Sequence, residues 1–437
     1  MRALLLSTYD KHGGAARAAF RLFSGLKSRC DIRLATKEKR SGDAGVSPLR
    51  GKKWSFAQKK IFQLVSLLHQ PLNEVSTPPG FSLPAEDFFS METSAILNAF
   101  NPDLVHLHWI CNQFLSLEEI SRIRQPVVWT MHDAWAMTGG CHVPGNCLAY
   151  QNACGNCPLL RAGCEDDLSR RFHQRKAEAY AGLDLSLVAP SQWLADCVKS
   201  SSLLGERQVT VIPNGLDVSL YRPVDKLAAR QMLGLPPDKT VLLFGGMSCT
   251  RDSNKGFDLL SEALHRVEDP NWLQQVHLLI FGAGEEERPI GDLPCPVQHL
   301  GYLTDDISLV LAYSAADAMI VPSRQEAFGL TAAEALACGT PVVCFRTTGL
   351  IDIVDHRLNG YLAEPFDVDD LARGMVWVTR RDSEKQRELA SQARLKAQQS
   401  FSLAVVAAKY LTLYDELLAT SGRRDLIGQG RRSRSDV

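Results

Sequence analysis

The sequence lacks the features that would assign it to several specialised classes of protein. Its net charge is only −1, from 48 lysines and arginines against 49 aspartates and glutamates. This balance argues against broad nucleic-acid binding, which needs a basic surface. No apolar run approaches the roughly 20 residues that span a bilayer. The apolar stretch Ala3–Leu6 is short and is soon followed by the charged residues Asp10 and Lys11, so it does not have the pattern of a signal peptide. We therefore expect a soluble, cytoplasmic protein.

Composition excludes further classes. Among 437 residues, 45% are hydrophobic and 22% are charged, which is ordinary for a packed protein and excludes disorder, collagen and coiled coil for the whole chain. The length allows two or three domains. Twelve cysteines do not indicate a disulfide framework, because such frameworks belong to small secreted domains. Eight of them are scattered and are most simply small buried residues, and the other four form a cluster considered below.

What is present is an alternation of strands and helices. Short apolar runs recur along the chain, and the clearest are Arg2–Ser7, Val127–Met131, Thr240–Phe244 and Ala318–Val321. Helical spacing follows most of them. This pattern predicts an α/β protein with two doubly wound, Rossmann-like parallel-sheet domains that face a cleft. The turn-rich stretch Val211–Pro223 marks the junction.

The predicted domains are 1–217, with a Cys-rich loop at 138–165, and 218–400. An amphipathic C-terminal helix at 401–420 is expected to pack back toward the first domain. The basic, Gly-rich residues 421–437 are expected to be disordered.

Residues 322–345 carry the most chemistry. A strand ends at Val321, and a helix is expected to begin near Gly329. The first N–H groups of that helix would attract phosphate, and glycine would let a ligand approach the backbone. Glu326 and Glu334 lie on either side and suit the hydroxyl groups of a sugar and a ribose. Alternatively, Glu326 complements the helix dipole and Glu334 is a surface residue.

This segment resembles the Glu-x7-Glu motif of retaining, family-4 glycosyltransferases with the GT-B fold. Supporting pieces occur in the expected order, and these are Gly13-Gly14 after the first strand, His132-Asp133, the junction sequence 211–217 and Lys255-Gly256. Their combined order is more specific than any one motif and covers most of the chain. Within the family, the chain is similar to bacterial exopolysaccharide and lipopolysaccharide glycosyltransferases with a Thr-Gly-Gly-Cys loop.

The resemblance implies two candidate catalytic residues. Glu326 would hold hydroxyls of the donor sugar, and His132 would line the cleft beside the reacting carbon. A satisfied strand-end histidine is the alternative for His132. The first domain would bind the acceptor and the second the nucleotide sugar.

The resemblance also implies a donor-binding set. Glu334 would hold the ribose, and Lys255 would neutralise the diphosphate as a compact cation. Arg251 marks a departure, because the family usually carries an arginine directly after a glycine at the end of the preceding strand. Here Arg251 either reaches the phosphates from a longer loop or is a solvated loop residue. The remaining candidates would present backbone to the donor, and these are Gly13, Gly14, Phe328, Gly329 and Leu330.

The implied reaction needs stabilisation of a departing nucleoside diphosphate. A cationic side chain and a helix N-terminus can provide it, and the family needs no divalent ion, so we expect no catalytic metal. Retention of the anomeric configuration is implied, with attack on the leaving-group face and no dedicated protein base. Closure of the two domains would exclude water. UDP- and GDP-linked donors both fit, and the acceptor would be a glycan or a lipid-linked sugar.

The cysteine cluster suggests a separate site. Cys141, Cys147, Cys154 and Cys157 are spaced x5, x6, x2, and the last pair forms a knuckle-like turn. Four thiolates suffice for a structural zinc ion, with His142 and Cys164 as substitutes. A redox-labile disulfide or unlinked thiols are the alternatives. The loop follows His132 and is expected to border the acceptor side.

Residues 50–68 combine lysines with aromatic and aliphatic residues. Such a basic amphipathic stretch can lie on an anionic membrane surface, which would make the protein peripheral on the inner face of the plasma membrane. A core-facing helix with solvated lysines is the alternative. The lysines and aromatic residues are Lys52, Lys53, Trp54, Phe56, Lys59, Lys60 and Phe62.

The sequence is also compatible with other functions. Another GT-B enzyme, such as a sugar-nucleotide epimerase or a phosphorylase, is the alternative among enzymes. A degenerate GT-B scaffold without activity is the alternative among binding proteins, although the presence of Glu326, Glu334 and Lys255 argues against it.

Overall fold

The computed structural model describes residues 1–51, 80–84, 91–161, 163–284, 292–380 and 382–432. The chain divides into two compact units. Unit 1 comprises Met1–Ala189, Leu194–Val211 and the chain from Tyr410 onward, and unit 2 comprises Pro190–Trp193 and Ile212–Lys409. The main division, after Val211, falls at the start of the turn-rich stretch. It comes a few residues before residue 217, the boundary that the sequence analysis predicts.

Unit 1 contains a parallel sheet of seven strands in the order β3-β2-β1-β4-β5-β6-β7. Its central strands are apolar throughout, and Leu4, Leu5 and Leu6 of β1 are fully buried. A strand buried on both faces needs such a continuous apolar run. The strands are β1 (Arg2–Tyr9), β2 (Asp31–Glu38), β3 (Val46–Pro48), β4 (Leu104–Leu107), β5 (Val127–Thr130), β6 (Leu185–Ala189) and β7 (Val209–Val211).

Helices connect these parallel strands, as parallel pairing requires. In the described part of the chain up to residue 211 they are Gly14–Leu26, Ser94–Phe100, Leu117–Ser121, Leu168–Ala181 and Gln192–Lys199, with short 3-10 helices at Trp135–Met137 and Ala149–Gln151.

Unit 2 contains a parallel sheet of six strands in the order β10-β9-β8-β11-β12-β13. Successive side chains of a strand point to opposite faces, so Leu242 and Leu243 enter two different buried clusters. Both faces of the sheet are therefore covered. The strands are β8 (Thr240–Gly245), β9 (Val276–Phe281), β10 (Val297–His299), β11 (Ala318–Val321), β12 (Val342–Phe345) and β13 (Gly360–Ala363).

The helices of the second half of the chain cover this sheet or follow it. They are Lys226–Met232, Phe257–His265, Pro270–Gln275, Asp306–Ala315, Leu330–Ala337, Val368–Thr379, Ser383–Lys396 and Leu403–Arg432, with 3-10 helices at Ser253–Lys255 and Thr348–Asp352 and a π-helix at Ala397–Phe401.

These two sheets confirm the predicted α/β fold of two doubly wound parallel-sheet units. The last helix differs from expectation, because it extends to Arg432, whereas the sequence analysis expects disorder from residue 421. The composition of a segment does not predict such an extension. Each residue added to an existing helix forms a hydrogen bond, and the cost of nucleating a helix is not incurred again. From Tyr410 onward this helix belongs to unit 1.

Two sequence predictions concern membranes. No helix of the described residues is both long and apolar enough to cross a bilayer. The basic amphipathic stretch 50–68 falls outside the described residues from Lys52 onward, so its membrane role stays a prediction.

Candidate functional site

The loop after β11 and the helix that follows it form the centre of the candidate site in unit 2. Helix Leu330–Ala337 begins after Gly329, whose φ is +107°, and it has no side-chain cap at that end. A Cβ at Gly329 would lie 2.7 Å from Leu350 Cδ2, so both the backbone angle and the space favour glycine. The first N–H groups of a helix have no intrahelical partner. The start of this helix can therefore receive an anion, as the sequence predicts.

Lys255 and Glu326 meet beside this helix start. The Lys255 ammonium donates to Glu326 Oε1 at 2.7 Å, and both side chains are mostly buried. Burial alone would lower the pKa of Lys255, but the carboxylate of Glu326 raises it above its usual value. Lys255 is therefore a fixed cation. Lys255, which is predicted to bind the donor, and Glu326, which is predicted as a catalytic residue, are thus in direct contact although they lie 71 positions apart.

A neighbouring residue holds Lys255 in this position. The side chain of Asn254 donates to the Gln325 carbonyl at 2.8 Å and accepts from the Gln325 N–H at 3.0 Å. Gly256 allows the close approach, because a Cβ there would lie 2.1 Å from the carbonyl oxygen of Pro322. The segment 253–256 is in this way attached to the loop that carries Glu326.

Glu334 is not the surface residue of the alternative interpretation. It is only 4% exposed, and its Oε2 accepts a hydrogen bond from the Tyr313 hydroxyl at 2.8 Å. Burial, with Glu334 as a second cause, raises the pKa of Tyr313, which keeps that hydroxyl protonated as a donor. Tyr313, which lies in helix Asp306–Ala315, was not predicted from the sequence.

The other predicted donor residues of unit 2 differ in their surroundings. Phe328 is buried, and its ring meets Phe401 edge-on at 5.4 Å between centroids, so its side chain serves packing. Arg251 lies exposed in the turn after β8, where its N–H donates to the Ser248 carbonyl at 3.0 Å. Its contact with a diphosphate stays a prediction.

In unit 1, the glycine pair follows β1 as predicted. Gly13 has a φ of +87° and precedes helix Gly14–Leu26, which also lacks a side-chain cap at its start. This turn therefore offers a second helix N-terminus with glycine at its entrance.

His132 follows β5 and pairs with a second histidine. His108, which follows the neighbouring strand β4, has its Nδ1 3.0 Å from His132 Nε2. Burial lowers the pKa of His132 to about 4, so this imidazole is neutral near pH 7. His132 was predicted from the sequence, but its partner His108 was not.

A third histidine extends this buried polar group. The two ring nitrogens of His106 bond to the Tyr414 hydroxyl at 2.6 Å and to Thr130 Oγ1 at 2.7 Å. Thr130 in turn bonds to the Tyr410 hydroxyl at 2.8 Å. The sequence indicates this group through the run Asp-Leu-Val-His-Leu-His at 103–108, because His106 and His108 lie two positions apart and so on one face of an apolar strand.

The Cys-rich loop is fixed to the end of β5 through Asp133. The carboxylate of Asp133 accepts from the Trp109 indole at 2.9 Å and pairs with His142 Nδ1 at 2.6 Å. His142 Nε2 bonds to Ser82 Oγ at 2.8 Å. Both nitrogens of His142 are thus engaged within the protein, which does not favour it as a substitute metal ligand.

The four clustered cysteines line one cavity of about 20 Å³. Cys154 has a φ of +55°, and its Sγ accepts from the Gly139 N–H at 3.2 Å. Nevertheless, in the part of the chain that the structure describes, no three His, Cys, Asp or Glu side chains form a ligand set for a metal ion. Cys164 is exposed. As placed, the thiols do not fit a zinc ion, and the zinc site stays a prediction.

Comparison with known proteins relates both halves of the chain to glycosyltransferases. Residues 12–220 match the model of glycosyltransferase family 4, and residues 238–381 match that of glycosyl transferases group 1. A D-inositol 3-phosphate glycosyltransferase of Saccharomonospora viridis is 35% identical over 228 residues, which are 48% of this chain and 51% of that protein. The chain thus spans about half the length of the first curated relatives that it matches.

Solved structures extend the likeness to nearly the whole chain. Sucrose-phosphate synthase from Thermosynechococcus elongatus has a TM-score of 0.65 at 20% identity, over 96% of this chain and 100% of that one. Anabaena HepE in complex with UDP-glucose has a TM-score of 0.63 at 19% identity, over 95% and 100%. The matches of residues 12–220 and 238–381 therefore relate both halves of the chain to glycosyltransferases, and its two parallel-sheet units have the GT-B fold of the solved structures.

Proposed function

We propose that this chain is a retaining glycosyltransferase that moves a sugar from a nucleotide-diphosphate sugar to a glycan or lipid-linked acceptor in bacterial surface polysaccharide biosynthesis. The observation that carries the proposal is the contact between Lys255 and Glu326 beside the start of helix Leu330–Ala337. A cation, a carboxylate and free helix N–H groups at one strand end suit a ligand that joins a diphosphate to a hydroxyl-rich sugar.

The leaving group sets the chemical demand on this site. As the bond from the anomeric carbon to the diphosphate breaks, negative charge grows on the phosphate oxygens. Lys255 and the N–H groups of residues 330 and 331 would stabilise that charge without reorganising, since their positions are fixed by the fold. Glu326 would then exchange part of its contact with Lys255 for sugar hydroxyls. No divalent ion is required for this step.

Glu334 would bind the ribose of the donor. Its carboxylate is held by Tyr313, and a buried acceptor with a fixed position can discriminate for a diol by hydrogen bonding. HepE was solved with UDP-glucose, which supports a uridine nucleotide as the first donor to test, with GDP-linked donors as the second.

The acceptor side is assigned to unit 1. Gly13 and Gly14 would bring backbone N–H groups near the acceptor and the donor phosphate, and His132 would contact the sugar beside the reacting carbon. Retention would follow from attack of the acceptor on the face that the diphosphate leaves. The Thr-Gly-Gly-Cys loop supports a bacterial polysaccharide acceptor, and residues 50–68 support work at the inner face of the plasma membrane.

A thermal-shift screen tests the donor assignment. UDP, GDP, ADP and their sugar conjugates are added to the full chain, to Lys255→Met and to the control Lys239→Met. Lys239 suits the control because, among the contacts described, its ammonium bonds only to the carbonyl oxygen of Gln274 and the side-chain amide oxygen of Gln275. A ligand present at a hundred times its dissociation constant stabilises the native state by about 2.7 kcal/mol. We expect one nucleotide to raise the midpoint of the wild type and the control, but not of Lys255→Met.

Two results would overturn the assignment. If no nucleotide or nucleotide sugar raises the midpoint, the scaffold alternative is favoured. If Lys255→Met responds as strongly as the wild type, the site lies elsewhere in the chain.

A further inference from the structure

Two imidazoles stand side by side where β4 and β5 end. The strands are parallel neighbours with Leu107 opposite Trp129, so the residues that follow them leave the sheet together. His108 and His132 have centroids 5.3 Å apart and ring planes within 20° of parallel. Their Nδ1 and Nε2 atoms, 3.0 Å apart, share one hydrogen bond.

Only one arrangement of protons suits this pair. His108 is 2% exposed, and its Nε2 is buried without a hydrogen-bond partner among the described residues. The adjacent imidazole of His106 cannot serve as one, since both of its nitrogens bond to Tyr414 and Thr130. A buried N–H without an acceptor is rarer and costlier than a buried acceptor without a donor. The proton of His108 therefore belongs on Nδ1, from which it donates to His132 Nε2.

We propose that His108 is a positioning residue that fixes His132 as its Nδ1–H tautomer, so that His132 presents a neutral N–H donor to an oxygen of the sugar donor. The contact with sugar rests on the proposed function, whereas the tautomer does not. A neutral donor can bind a hydroxyl or phosphate oxygen without taking up a proton from solvent.

Charged groups around the pair do not oppose this assignment. Asp133 follows His132 directly, but its carboxylate is occupied by the Trp109 indole and by His142. The faces of His108 meet the neutral rings of His106 and His132 at centroid distances of 4.2 and 5.3 Å. The Trp129 indole donates to the backbone carbonyl of His108 at 3.0 Å, which fixes the backbone from which the ring projects.

The tautomer can be read directly by NMR. The full chain is labelled with ¹⁵N-histidine, and long-range ¹H–¹⁵N correlations are recorded at pH 7.5 for wild type, His108→Asn and His108→Leu. His132→Gln assigns the signals. We expect His132 to be protonated on Nδ1 in the wild type and in His108→Asn, because the asparagine amide replaces the donor. In His108→Leu we expect a mixture of tautomers.

Kinetics then test the consequence for the reaction. With the donor identified by the thermal screen, we expect kcat to fall at least tenfold in His108→Leu and to recover in His108→Asn, with nucleoside diphosphate affinity unchanged in both. Wild-type His132 protonated on Nε2, or an unchanged kcat in His108→Leu, would overturn the inference. If no donor binds at all, the proposed function fails, while the NMR result still decides the tautomer.

Discussion

Mild acid should destabilise unit 1 through its buried imidazoles. His106 is fully buried, and both of its nitrogens are engaged by neutral hydroxyl groups. Burial lowers the pKa of His106 to about 3 and that of His132 to about 4, from an unfolded value of 6.5. In the part of the chain that the structure describes, neither imidazole has a carboxylate among its hydrogen-bond partners to stabilise its charged form.

The direction of this pH effect follows from the number of protons that the native and the unfolded states bind. Between pH 6.5 and pH 4 these histidines are protonated in the unfolded chain but not in the native chain. The free energy of unfolding therefore decreases as the pH falls through this range. Each pH unit below the unfolded pKa costs about 1.4 kcal/mol for one group. His106 alone should therefore remove about 2 kcal/mol between pH 7.5 and pH 5, and His132 a similar amount. Asp133, whose pKa is lowered by His142 despite its burial, loses its contribution only at lower pH.

Urea unfolding at pH 7.5 and pH 5.0 measures this loss. Unit 1 is followed by hydrogen exchange of peptides that cover β4 and β5, so that unit 2 does not enter the measurement. We compare wild type with His106→Gln and with the control His265→Gln, an exposed histidine of helix Phe257–His265. The pH-dependent loss should be smaller by about 2 kcal/mol in His106→Gln and unchanged in the control. An equal loss in all three proteins would refute the reasoning.

Three further outcomes are expected. Gly329→Ala should lower the free energy of unfolding in urea by about 1–3 kcal/mol, because Gly329 has a positive φ. Gly42→Ala should not lower it, since a Cβ at Gly42 has no described neighbour within 4 Å. Equal urea midpoints for the two variants would contradict this prediction. Metal analysis of the purified chain decides between the sequence and the placement of the thiols: the sequence predicts about one zinc per chain, lost in Cys154→Ser and kept in Cys197→Ser, whereas the thiols as placed fit no metal ion. Less than one zinc per several chains would exclude the site. The membrane role is tested by flotation with anionic vesicles of the wild type and of a variant in which Lys52, Lys53, Lys59 and Lys60 are changed to glutamate. The vesicles should bind the wild type but not the variant, and equal binding of both would count against the membrane role.

The central strands of both sheets could be predicted from sequence, but the edges could not. β11 and β12 are unbroken apolar runs, because both of their faces are buried. At the edges, β3, β7 and β10 are three residues each and only partly buried. A strand with one open side needs no continuous apolar run, so periodicity carries little signal there.

The candidate site was predictable as a set of residues, not as a set of contacts. Glu326, Glu334 and Lys255 stand out through the family resemblance, yet the Lys255–Glu326 contact depends on how segment 253–256 meets the loop after β11. Tyr313 and His108 were missed for the same reason. Their partners come from neighbouring elements that only the strand order brings together.

Titration calorimetry tests the central claim most directly, namely that unit 2 binds a nucleoside diphosphate through Glu334. UDP, GDP and ADP are titrated into wild type, Glu334→Gln and the control Glu262→Gln, whose carboxylate pairs with Arg266 on an exposed helix face. The account predicts that one nucleotide saturates one site per chain in wild type and control, and binds at least tenfold more weakly to Glu334→Gln. Saturation by none of them, or equal affinity for Glu334→Gln and wild type, would contradict it.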